Sequence, residues 1–443
     1  MNRRNFISTM SISGLGLLTL SAFPSFADDF TGPVQFPVPT NTGISGHIVV
    51  LGGGMAGATM AKYLRLWGGT GVNVTLVEKS PSYTSNIMSN TVLTGQRTLA
   101  NLTYIYDTLV KHYGVKLVNK EVVQIGASAI RLADNSTLSF DKLVVAPGLD
   151  FDLLPGMNNV SEYDTLIPHA WKAGPQTTLL RNQLLNLQNG QPVVITIPLM
   201  PYRCPPGPYE RACVIADWLK KNKPASQVIV LDANADIVVE RDNFLHAFTV
   251  THAGHVDYQS GCKITDVDSQ SRTVIYDQGL MVGKSVTAGV FNPIPPQRAP
   301  KLLVDAGLVN SPDGRFAMID VLNYQSTVAN NIHVIGDASH TTMPKAGHIG
   351  NQQAKTCTDA ILRMLQGQNP DPAPVTNSAC YTPITASTAT WLSAVYQYDA
   401  ATKKMLIPAQ HNQGKALSAL AASSDNYQDM LTWFDTLMGD TFA

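Results

Sequence analysis

Several features are scarce or missing from this sequence of 443 residues, and each absence narrows the possible functions. Positive and negative side chains nearly cancel, 31 against 32, so no basic excess exists to attract nucleic acid or an acidic membrane surface. No apolar run beyond the N-terminal segment reaches about 18 residues, so no transmembrane segment is predicted. There is no Cys-x-x-Cys-His motif and no metal-ligand spacing. We therefore expect neither a c-type haem nor a metal site on this chain.

What remains is the composition of a multidomain globular protein. The apolar fraction is 44% and the charged fraction 14%, which is enough apolar surface for a sizeable core. The length fits two or three domains. The 33 glycines and 27 prolines indicate many turns and argue against a helical bundle.

The N-terminal segment, residues 1–27, is predicted to be a targeting signal. A pair of arginines, Arg3 and Arg4, precedes a short apolar stretch that ends near small residues at Ala27. This pattern is typical of a twin-arginine signal peptide, and an uncleaved anchor is the alternative. The twin-arginine route exports folded proteins, so we expect a periplasmic protein that acquires its cofactor before export.

A glycine-rich turn follows the apolar strand predicted at residues 47–51. It is followed by a helical segment and by a second strand that ends at Glu78, 21 residues after the last glycine. In such a turn the glycines allow close backbone approach to a pyrophosphate, and the acidic residue accepts from ribose hydroxyls. The pattern G-x-G-x-x-G here uses Gly52, Gly54 and Gly57.

Two later segments indicate which dinucleotide binds. Residues 142–148 form a strand with a Pro-Gly turn, and residues 331–338 form a strand that ends in Gly336-Asp337. This order resembles the flavoprotein disulfide reductase superfamily. The resemblance implies an α/β fold with two Rossmann-like dinucleotide-binding domains, and FAD as cofactor. In that family the late aspartate holds the ribityl chain and phosphate, and a helix beginning near Gly347 points its N-terminus at the flavin ring. The cofactor-binding residues implied are Gly52, Gly54, Ala56, Gly57, Glu78, Lys79, Ala146, Gly148, Gly336, Asp337, Lys345 and Trp433.

The second dinucleotide site predicted by this resemblance is disrupted. A strand at 192–197 is followed by four prolines between residues 198 and 206, which remove backbone N–H groups from any phosphate. Asp232, after the next strand, stands where a ribose-binding residue would be. We therefore expect an NAD-like domain that does not bind NAD(P).

The sequence Cys-Pro-Pro-Gly-Pro-Tyr-Glu-Arg-Ala at 204–212 resembles the active-site motif of the flavoprotein subunit of flavocytochrome c sulfide dehydrogenase, within the wider sulfide:quinone reductase group. This resemblance covers essentially the whole chain. It is also carried by residues 89–97, by residues 343–347 and by the segment ending Trp433-Phe434.

The resemblance, and not the cysteine spacing, implies a catalytic set. Cys204 and Cys357 would form a redox-active disulfide beside the flavin, with a structural disulfide as the alternative. Glu210 would shuttle protons, or else form a salt bridge with Arg211. Trp433 would pack near the ring, or serve in the core. We expect the other cysteines to be packed small residues, namely Cys213, Cys262 and Cys380.

The reaction implied is sulfide oxidation by thiol–disulfide exchange. Hydrosulfide attacks the disulfide, one cysteine becomes a persulfide, and two electrons pass through FAD. A c-type cytochrome, either a subunit or a soluble protein, is the expected acceptor. One alternative is a sulfide:quinone reductase. Another is a flavoprotein that reactivates a sulfur-carrier thiol without turning over free sulfide.

One departure from the family concerns how FAD is held. The haem-linked family attaches FAD through a cysteine in the segment that matches residues 83–90, where this chain has Ser85 and Asn86 instead. We therefore expect non-covalent FAD.

The predicted organisation follows the order of these motifs. His340 and His348 are expected to be structural. The predicted parts are a signal at 1–27, an FAD domain at 45–150 and 321–370, an inserted NAD-like domain at 151–320, and a C-terminal interface segment at 375–443 that covers the flavin.

Overall fold

The computed structural model describes residues 35–443. The predicted signal peptide lies outside the described residues. The first region, up to residue 151, alternates strands with short helices, and one 3-10 turn spans Ala100–Leu102. Its elements are β1 (Gly46–Leu51), α1 (Met55–Gly68), β2 (Val72–Val77), β3 (Ser82–Thr84), α2 (Ser89–Leu93), β4 (Thr103–Ile105), α3 (Asp107–Lys111), β5 (Lys116–Val118), β6 (Val122–Ile125), β7 (Ala129–Leu132), β8 (Thr137–Ser139), β9 (Lys142–Val145) and β10 (Asp150–Phe151).

The central region carries a second set of alternating strands and helices, with a π-helical turn at Ala247–Thr251. Its elements are α4 (Ser161–Thr165), α5 (Pro175–Asn186), β11 (Val193–Ile197), α6 (Gly207–Asn222), β12 (Val228–Asp232), α7 (Arg241–His246), β13 (Val256–Gln259), β14 (Cys262–Asp268), β15 (Thr273–Gln278), β16 (Met281–Thr287), β17 (Val290–Pro293), β18 (Gln297–Arg298) and α8 (Lys301–Asp305).

The last region contains two 19-residue helices separated by strands. Short 3-10 turns lie at Gly336–Ala338 and Asn412–Gly414. The elements are β19 (Ala317–Met318), β20 (Ile332–Val334), β21 (Ser339–His340), α9 (Gly347–Leu365), β22 (Val375–Pro383), β23 (Ala389–Asp399), β24 (Lys404–Leu406), β25 (Leu417–Ser418) and α10 (Ser424–Phe442).

Two parallel sheets organise the chain. The first has five strands in the order β20-β9-β1-β2-β5, so a strand from the last region completes a sheet begun near the N-terminus. The second has the order β13-β12-β11-β17 and is also parallel. Both central strands, β1 and β11, read as nearly continuous apolar runs, which is typical of parallel strands buried on both faces. The predicted α/β class with Rossmann-type sheets is confirmed.

The last region adds a mainly antiparallel sheet of β22, β23, β24 and β25, against which α10 packs. The domain boundaries given above stay a prediction. Among the helices of residues 35–443, none is long and apolar enough to cross a membrane.

The end of α10 is fixed to the first region by an aromatic stack. Phe442 is 4% exposed and lies between the rings of Tyr83 and Tyr104, with centroids 5.3 Å and 5.2 Å away and interplanar angles of 19° and 15°. Lys62 of α1 donates to the carbonyls of Gly439 and Asp440 at 3.1 Å and 3.0 Å. A cation at the C-terminal end of a helix is favourable. The last helix is therefore held against α1 and β3.

We expect Phe442→Ala to lower the free energy of unfolding by about 3 kcal/mol, because it removes a buried aromatic ring from this stack. Urea unfolding followed by circular dichroism measures the change. Leu420→Ala, at a fully exposed position in the same region, is the matched control and should change stability by less than about 0.5 kcal/mol. Equal effects of the two substitutions would contradict the packing role of Phe442.

Candidate active site

A cavity of about 580 Å³ lies at the carboxyl ends of the first sheet. Ligands bind at this edge in open parallel sheets, because the loops and the helix N-termini converge there. Its walls come from the loops after β1, β2, β9 and β20, from the start of α9, from the loop before α6 and from β22. The cavity therefore draws on both parallel sheets and on the C-terminal sheet.

The three fingerprint glycines have different roles. Gly52 has a φ of 97°, and a Cβ there would lie 2.3 Å from the Ala146 carbonyl oxygen. A Cβ on Gly57 would lie 1.8 Å from the Gly52 carbonyl oxygen, so this glycine lets α1 pack against the turn. A Cβ on Gly54 would meet only Tyr83, at 3.6 Å. Gly54 faces the cavity and is thus the glycine that lets a ligand approach the backbone.

The acidic residue at the end of β2 holds the glycine loop. Glu78 accepts from the Gly53 N–H at 2.7 Å with one oxygen and from the Ser80 N–H at 2.9 Å with the other. It lines the cavity together with Lys79, which forms an exposed ion pair with Glu121 at 3.4 Å. Glu78 and Lys79, both named from the sequence, therefore lie at the cavity wall.

The Gly-Asp loop after β20 also lies where it was expected. Gly336 has a φ of 72°, and its N–H donates to Gln353 Oε1 at 2.7 Å. Asp337 lines the cavity and pairs with Arg203 at 3.6 Å. Arg203 Nη2 is buried and has no hydrogen-bond partner in residues 35–443. A donor of this kind, on a residue that lines the cavity, suits an anionic ligand.

Lys345 does not line the cavity, contrary to the sequence prediction. Its ammonium donates to the carbonyls of Asp337 and Ser339, both at 2.8 Å, and lies 3.6 Å from the Phe316 ring centroid. Burial lowers the pKa of Lys345 to about 8. This lysine braces the Gly-Asp loop from behind instead of contacting the cofactor.

The N-terminus of α9 faces the cavity. Ala346 caps the helix without a side-chain hydrogen bond, and Gly347, His348 and Gly350 line the wall. The free N–H groups of this first turn favour negative charge in the cavity. His348, predicted to be structural, accepts from the Ala379 N–H at 3.0 Å and thereby anchors β22.

Cys204 sits at the cavity wall in a constrained turn. Its φ is 58°, in the left-handed region, and its N–H donates to the Lys345 carbonyl at 2.7 Å. A Cβ on Gly207, the first residue of α6, would lie 2.9 Å from Cys204 Sγ. The sulfur therefore lies against the start of α6. Burial raises the pKa of the Cys204 thiol, and Cys380 and Glu210 act in the same direction.

The predicted partner, Cys357, is not brought to Cys204. It is fully buried in the core, with its thiol 3.5 Å from the Asn323 carbonyl, and it does not line the cavity. It lies ten residues along α9 from Gly347, which is about 15 Å at 1.5 Å per residue. Only the first turn of α9 faces the cavity. The helix therefore carries this cysteine away from the site.

Cys380 lines the cavity instead, on β22. Negative charge on Cys380 raises the pKa of the Cys204 thiol, which lines the same cavity. Burial raises the pKa of Cys380 to about 12. Its expected role as a packed small residue is therefore wrong, whereas Cys213 and Cys262 are buried and do not line the cavity. All five cysteines lie within the described residues and are free thiols there.

Glu210 lies at the cavity wall and is 8% exposed. It accepts from Asn90 Nδ2 at 2.8 Å. Burial raises the pKa of Glu210 to about 8, and the nearby Glu240 adds to the effect, while Asn90 and Arg211 oppose it. A carboxyl that titrates close to neutral pH can both donate and accept a proton.

The alternative salt bridge between Glu210 and Arg211 is not formed. Arg211 is 2% exposed, and all its hydrogen bonds run to neutral oxygens. Within residues 35–443, no carboxylate lies within ion-pair distance of it. The guanidinium carbon of Arg211 lies 4.7 Å from the centroid of the Trp171 ring. The guanidinium donates hydrogen bonds to Asn90 Oδ1, to Asn292 Oδ1 and to the carbonyls of His169 and Ala170.

Trp433 of α10 lines the cavity, and its packing near the flavin ring stays a prediction. Its Nε1 has no partner in residues 35–443, and its ring lies 5.5 Å from the ring of Tyr381 on β22. Sequence reasoning gave no role to several other wall residues, namely Cys380, Arg203, Asn90 and Trp171. Asn90 lies within a segment that carries the resemblance, and Arg203 directly precedes another. This position in the sequence could have marked both as candidate site residues.

The corresponding place in the second sheet is filled by protein. Asp232, at the end of β12, already accepts from the hydroxyls of Tyr209 and Tyr258 at 2.7 Å and 2.9 Å. At the start of α6, where a pyrophosphate would bind, a Cβ on Gly207 would lie 2.9 Å from both Cys204 and Trp171. The groups that would hold NAD(P) are thus used by the chain itself.

The donor groups that line the first cavity fit FAD. The cavity has an open backbone approach at Gly54 and two helix N-termini. Arg203 and Trp433 add donors that have no partner within the described part of the chain. The segment 83–90 also lines the cavity, and Asn86 accepts there from the Ala173 N–H at 2.7 Å.

Two protein-family models match the chain. Residues 46–178 match the pyridine nucleotide-disulphide oxidoreductase model, and residues 177–295 match the model for the central part of the sulfide dehydrogenase [flavocytochrome c] flavoprotein chain. Together they run without a gap over more than half of the sequence. Over these residues the chain matches the flavoprotein disulfide reductase superfamily. This match implies FAD as the cofactor, and the central match points to a sulfur-related flavoprotein oxidoreductase.

Solved structures share the fold at low sequence identity. The sulfide:quinone oxidoreductase from Aquifex aeolicus is 16% identical with a TM-score of 0.72, covering 89% of this chain and 92% of its own. An NAD-dependent persulfide reductase from A. fulgidus is 14% identical with a TM-score of 0.57, covering 89% and 77%. A ferredoxin reductase from Rhodopseudomonas palustris is 16% identical with a TM-score of 0.57, covering 79% and 82%.

We expect Gly54→Ala to lower the affinity for FAD at least about tenfold while leaving the cofactor-free chain as stable as the parent. The added methyl group has room within the protein but occupies the approach to the backbone. FAD titration followed by flavin fluorescence, together with thermal unfolding of the cofactor-free chain, measures both effects. Gly57→Ala is the contrasting variant and should lose stability as well. Unchanged FAD affinity in Gly54→Ala would refute this role.

We expect the parent to lose stability as the pH rises toward 8, and we expect Glu210→Gln not to show this loss. The unfolded chain releases this proton near its ordinary pKa of 4.5, whereas the folded chain keeps it until about 8. The folded state binds more protons in this window, so stability falls as pH rises through it. The variant keeps the acceptor for Asn90 and should gain about 4 kcal/mol on the parent near pH 8, but little near pH 4. Urea unfolding at both pH values measures this, and parallel pH profiles would contradict it.

Proposed function

We propose that the chain is a periplasmic, FAD-dependent sulfide dehydrogenase that passes electrons to a c-type cytochrome. The observation that carries the proposal is that Cys204 and Cys380 line the same cavity as the FAD fingerprint. The match of residues 177–295 to the sulfide dehydrogenase flavoprotein supports the choice of a sulfur donor. The periplasmic location rests on the predicted signal at residues 1–27.

The redox pair proposed is Cys204 with Cys380, in place of the pairing with Cys357. Cys204 is supplied by the second sheet and Cys380 by the C-terminal sheet. Their raised pKa values disfavour two thiolates in one enclosed site. This favours the disulfide as the resting oxidised form, which is the form that a sulfur nucleophile attacks.

The chemical step balances with these two sulfurs. Hydrosulfide attacks one sulfur of the disulfide, so an S–S bond forms to the incoming sulfur while the Cys204–Cys380 bond breaks. One cysteine becomes a persulfide, and the other leaves as a thiolate that carries the electron pair. Bound FAD supplies the two-electron acceptor beside the thiolate. Glu210 is positioned at the same wall to take or return the proton.

The non-covalent attachment of FAD also stays part of the proposal. The segment 83–90 contains no cysteine, and the two residues at the matching place are already engaged. Ser85 donates to the Ile87 carbonyl at 3.1 Å, and Asn86 accepts from the Ala173 N–H at 2.7 Å. Acid denaturation should therefore release all of the flavin from the chain.

The decisive test is anaerobic addition of sulfide to the holoprotein. We expect the visible flavin band to bleach in the parent, and to bleach at least about a hundredfold more slowly in Cys204→Ser and in Cys380→Ser. Cys357→Ser is the matched control, a buried cysteine outside the cavity, and should bleach like the parent. A parent that sulfide does not bleach would overturn the substrate. Loss of bleaching in Cys204→Ser and Cys357→Ser, but not in Cys380→Ser, would support the pairing of Cys204 with Cys357.

The acceptor is tested separately with the sulfide-reduced protein. We expect rapid reoxidation by oxidised cytochrome c and slow reoxidation by a soluble quinone. The opposite order would indicate a sulfide:quinone reductase. If sulfide fails but a persulfidated carrier protein reduces the flavin, the chain instead acts on a protein-borne sulfur.

A further inference from the structure

A second buried carboxyl lies behind the cysteine pair and has no place in the proposed sulfide oxidation. Glu240 is 8% exposed and immediately precedes α7. Its backbone has a φ of 49° and a ψ of 36°, a left-handed conformation that is unfavourable for a residue other than glycine. Its Oε2 accepts from the Thr382 hydroxyl at 3.2 Å, and its Oε1 has no hydrogen-bond partner in residues 35–443.

Glu240 is linked to Cys380 through β22. Thr382, which donates to Glu240, lies two residues after Cys380 on the same strand. Residues i and i+2 of a strand project from the same face, so both side chains point to the same side of the C-terminal sheet. The negative charge of Glu240 raises the pKa of Cys380, which shows that the two groups are electrostatic neighbours.

Glu240 is also linked to Glu210 through α6. The charge of Glu240 raises the pKa of Glu210 and that of Cys213. Cys213 follows Glu210 by three residues on α6, so the two lie on one helix face. The titratable groups that face Glu240 are therefore Glu210, Cys213 and Cys380, and its polar neighbours are Thr382, Thr390 and Asn243.

The other side of Glu240 leads outward. The next two residues, Arg241 and Asp242, have side chains that are 53% and 96% exposed. The chain therefore passes from a buried carboxyl at Glu240 to exposed side chains within two residues. Burial raises the pKa of Glu240, so it can carry a proton at a pH where an exposed carboxyl could not.

The proposed reaction needs such a route. Oxidation of hydrosulfide to the persulfide sulfur releases one proton and two electrons. The electrons leave through the flavin to the one-electron acceptor, whereas the proton is released in a cavity walled by buried residues. Glu210 can accept it, but Glu210 is itself buried and must return to its starting state before the next turnover.

We propose that Glu240 is the second carboxyl of a proton path that runs from Glu210 and Cys380 to the surface at α7. The inference rests on the proposed redox pair but not on the identity of the sulfur donor. Glu210 takes the proton at the cavity wall, and Glu240 passes it outward. The strained backbone of Glu240 holds its carboxyl inward, against Thr382, while its chain neighbours face solvent.

The test compares Glu240→Gln with the parent in anaerobic stopped-flow experiments on the holoprotein. Flavin reduction is followed across a range of pH with sulfide and, separately, with dithiothreitol, which opens the disulfide without sulfide. We expect Glu240→Gln to be at least about tenfold slower with both reductants and to keep only the rise in rate with pH that ionisation of the reductant produces. The matched control is Asp242→Asn, which removes an exposed carboxyl from the same helix and should behave like the parent.

A second readout does not depend on flavin reduction. After reduction with dithiothreitol, Cys380 is alkylated with iodoacetamide at a series of pH values and quantified by peptide mass spectrometry. The apparent pKa of Cys380 should fall in Glu240→Gln, because a neighbouring negative charge is removed. Glu240→Asp keeps an ionisable group in a residue that tolerates left-handed backbone, and should restore a rate that depends on pH.

The outcomes separate the two proposals. If dithiothreitol bleaches the parent but sulfide does not, sulfide is not the substrate. The proton path is still supported in that case if dithiothreitol reduces the flavin of Glu240→Gln slowly. A Glu240→Gln rate and pH profile equal to those of Asp242→Asn would overturn the proton path. Should Glu240→Gln fail to fold, Thr382→Val takes its place, because it removes the hydrogen bond to Glu240. A Thr382→Val rate and pH profile equal to those of Asp242→Asn would overturn the proton path equally.

Discussion

The active site depends on a contact between two sheets that are far apart in sequence. The Cys204 N–H donates to the Lys345 carbonyl at 2.7 Å, and the preceding residue, Arg203, pairs with Asp337 at 3.6 Å. These bonds fix the loop before α6 against the Gly-Asp loop of the first sheet. They hold a cysteine, a buried cation and the start of α9 on one cavity wall. Without them the second sheet would carry a cysteine with no cofactor site beside it.

Burial governs the chemistry within this wall. Cys204, Cys380 and Glu210 all have raised pKa values because their charged forms lose solvation. Arg211 carries a buried charge whose hydrogen bonds all run to neutral oxygens. A site of this kind favours neutral forms at rest and favours a disulfide over two thiolates. Because water does not surround these groups, a proton released at the site needs other groups to carry it to solvent, and a chain of buried carboxyls can do so.

The sequence predicted the parts of the site that are set by local motifs. The glycine turn, Glu78 and the Gly336-Asp337 loop each follow a buried strand, so their place at the carboxyl edge of a parallel sheet follows from the strand pattern. Cys204 and Glu210 lie at the cavity wall because a motif places them at the start of α6. Strand pattern and motif together are sufficient to assign these residues.

The second cysteine could not be assigned in this way. Cys357 lies on the helix whose first turn faces the cavity, and the family resemblance made it the expected partner. In the structure, ten residues of helix, about 15 Å, separate it from that first turn. Cys380 comes from β22, which belongs to a separate sheet that follows α9 in the chain. Its approach to Cys204 is a tertiary contact that no local pattern encodes. Lys345 was misplaced for a similar reason, because a motif does not give the direction of a side chain.

The pairing of Cys204 with Cys380 is the step on which the proposed chemistry depends. Non-reducing peptide mapping by mass spectrometry tests it on the oxidised holoprotein, after free thiols have been blocked under denaturing conditions. We predict one cross-linked peptide that joins Cys204 to Cys380, with Cys357 recovered as the blocked thiol. A peptide that joins Cys204 to Cys357, or blocked thiols at both Cys204 and Cys380, would contradict the proposed pair.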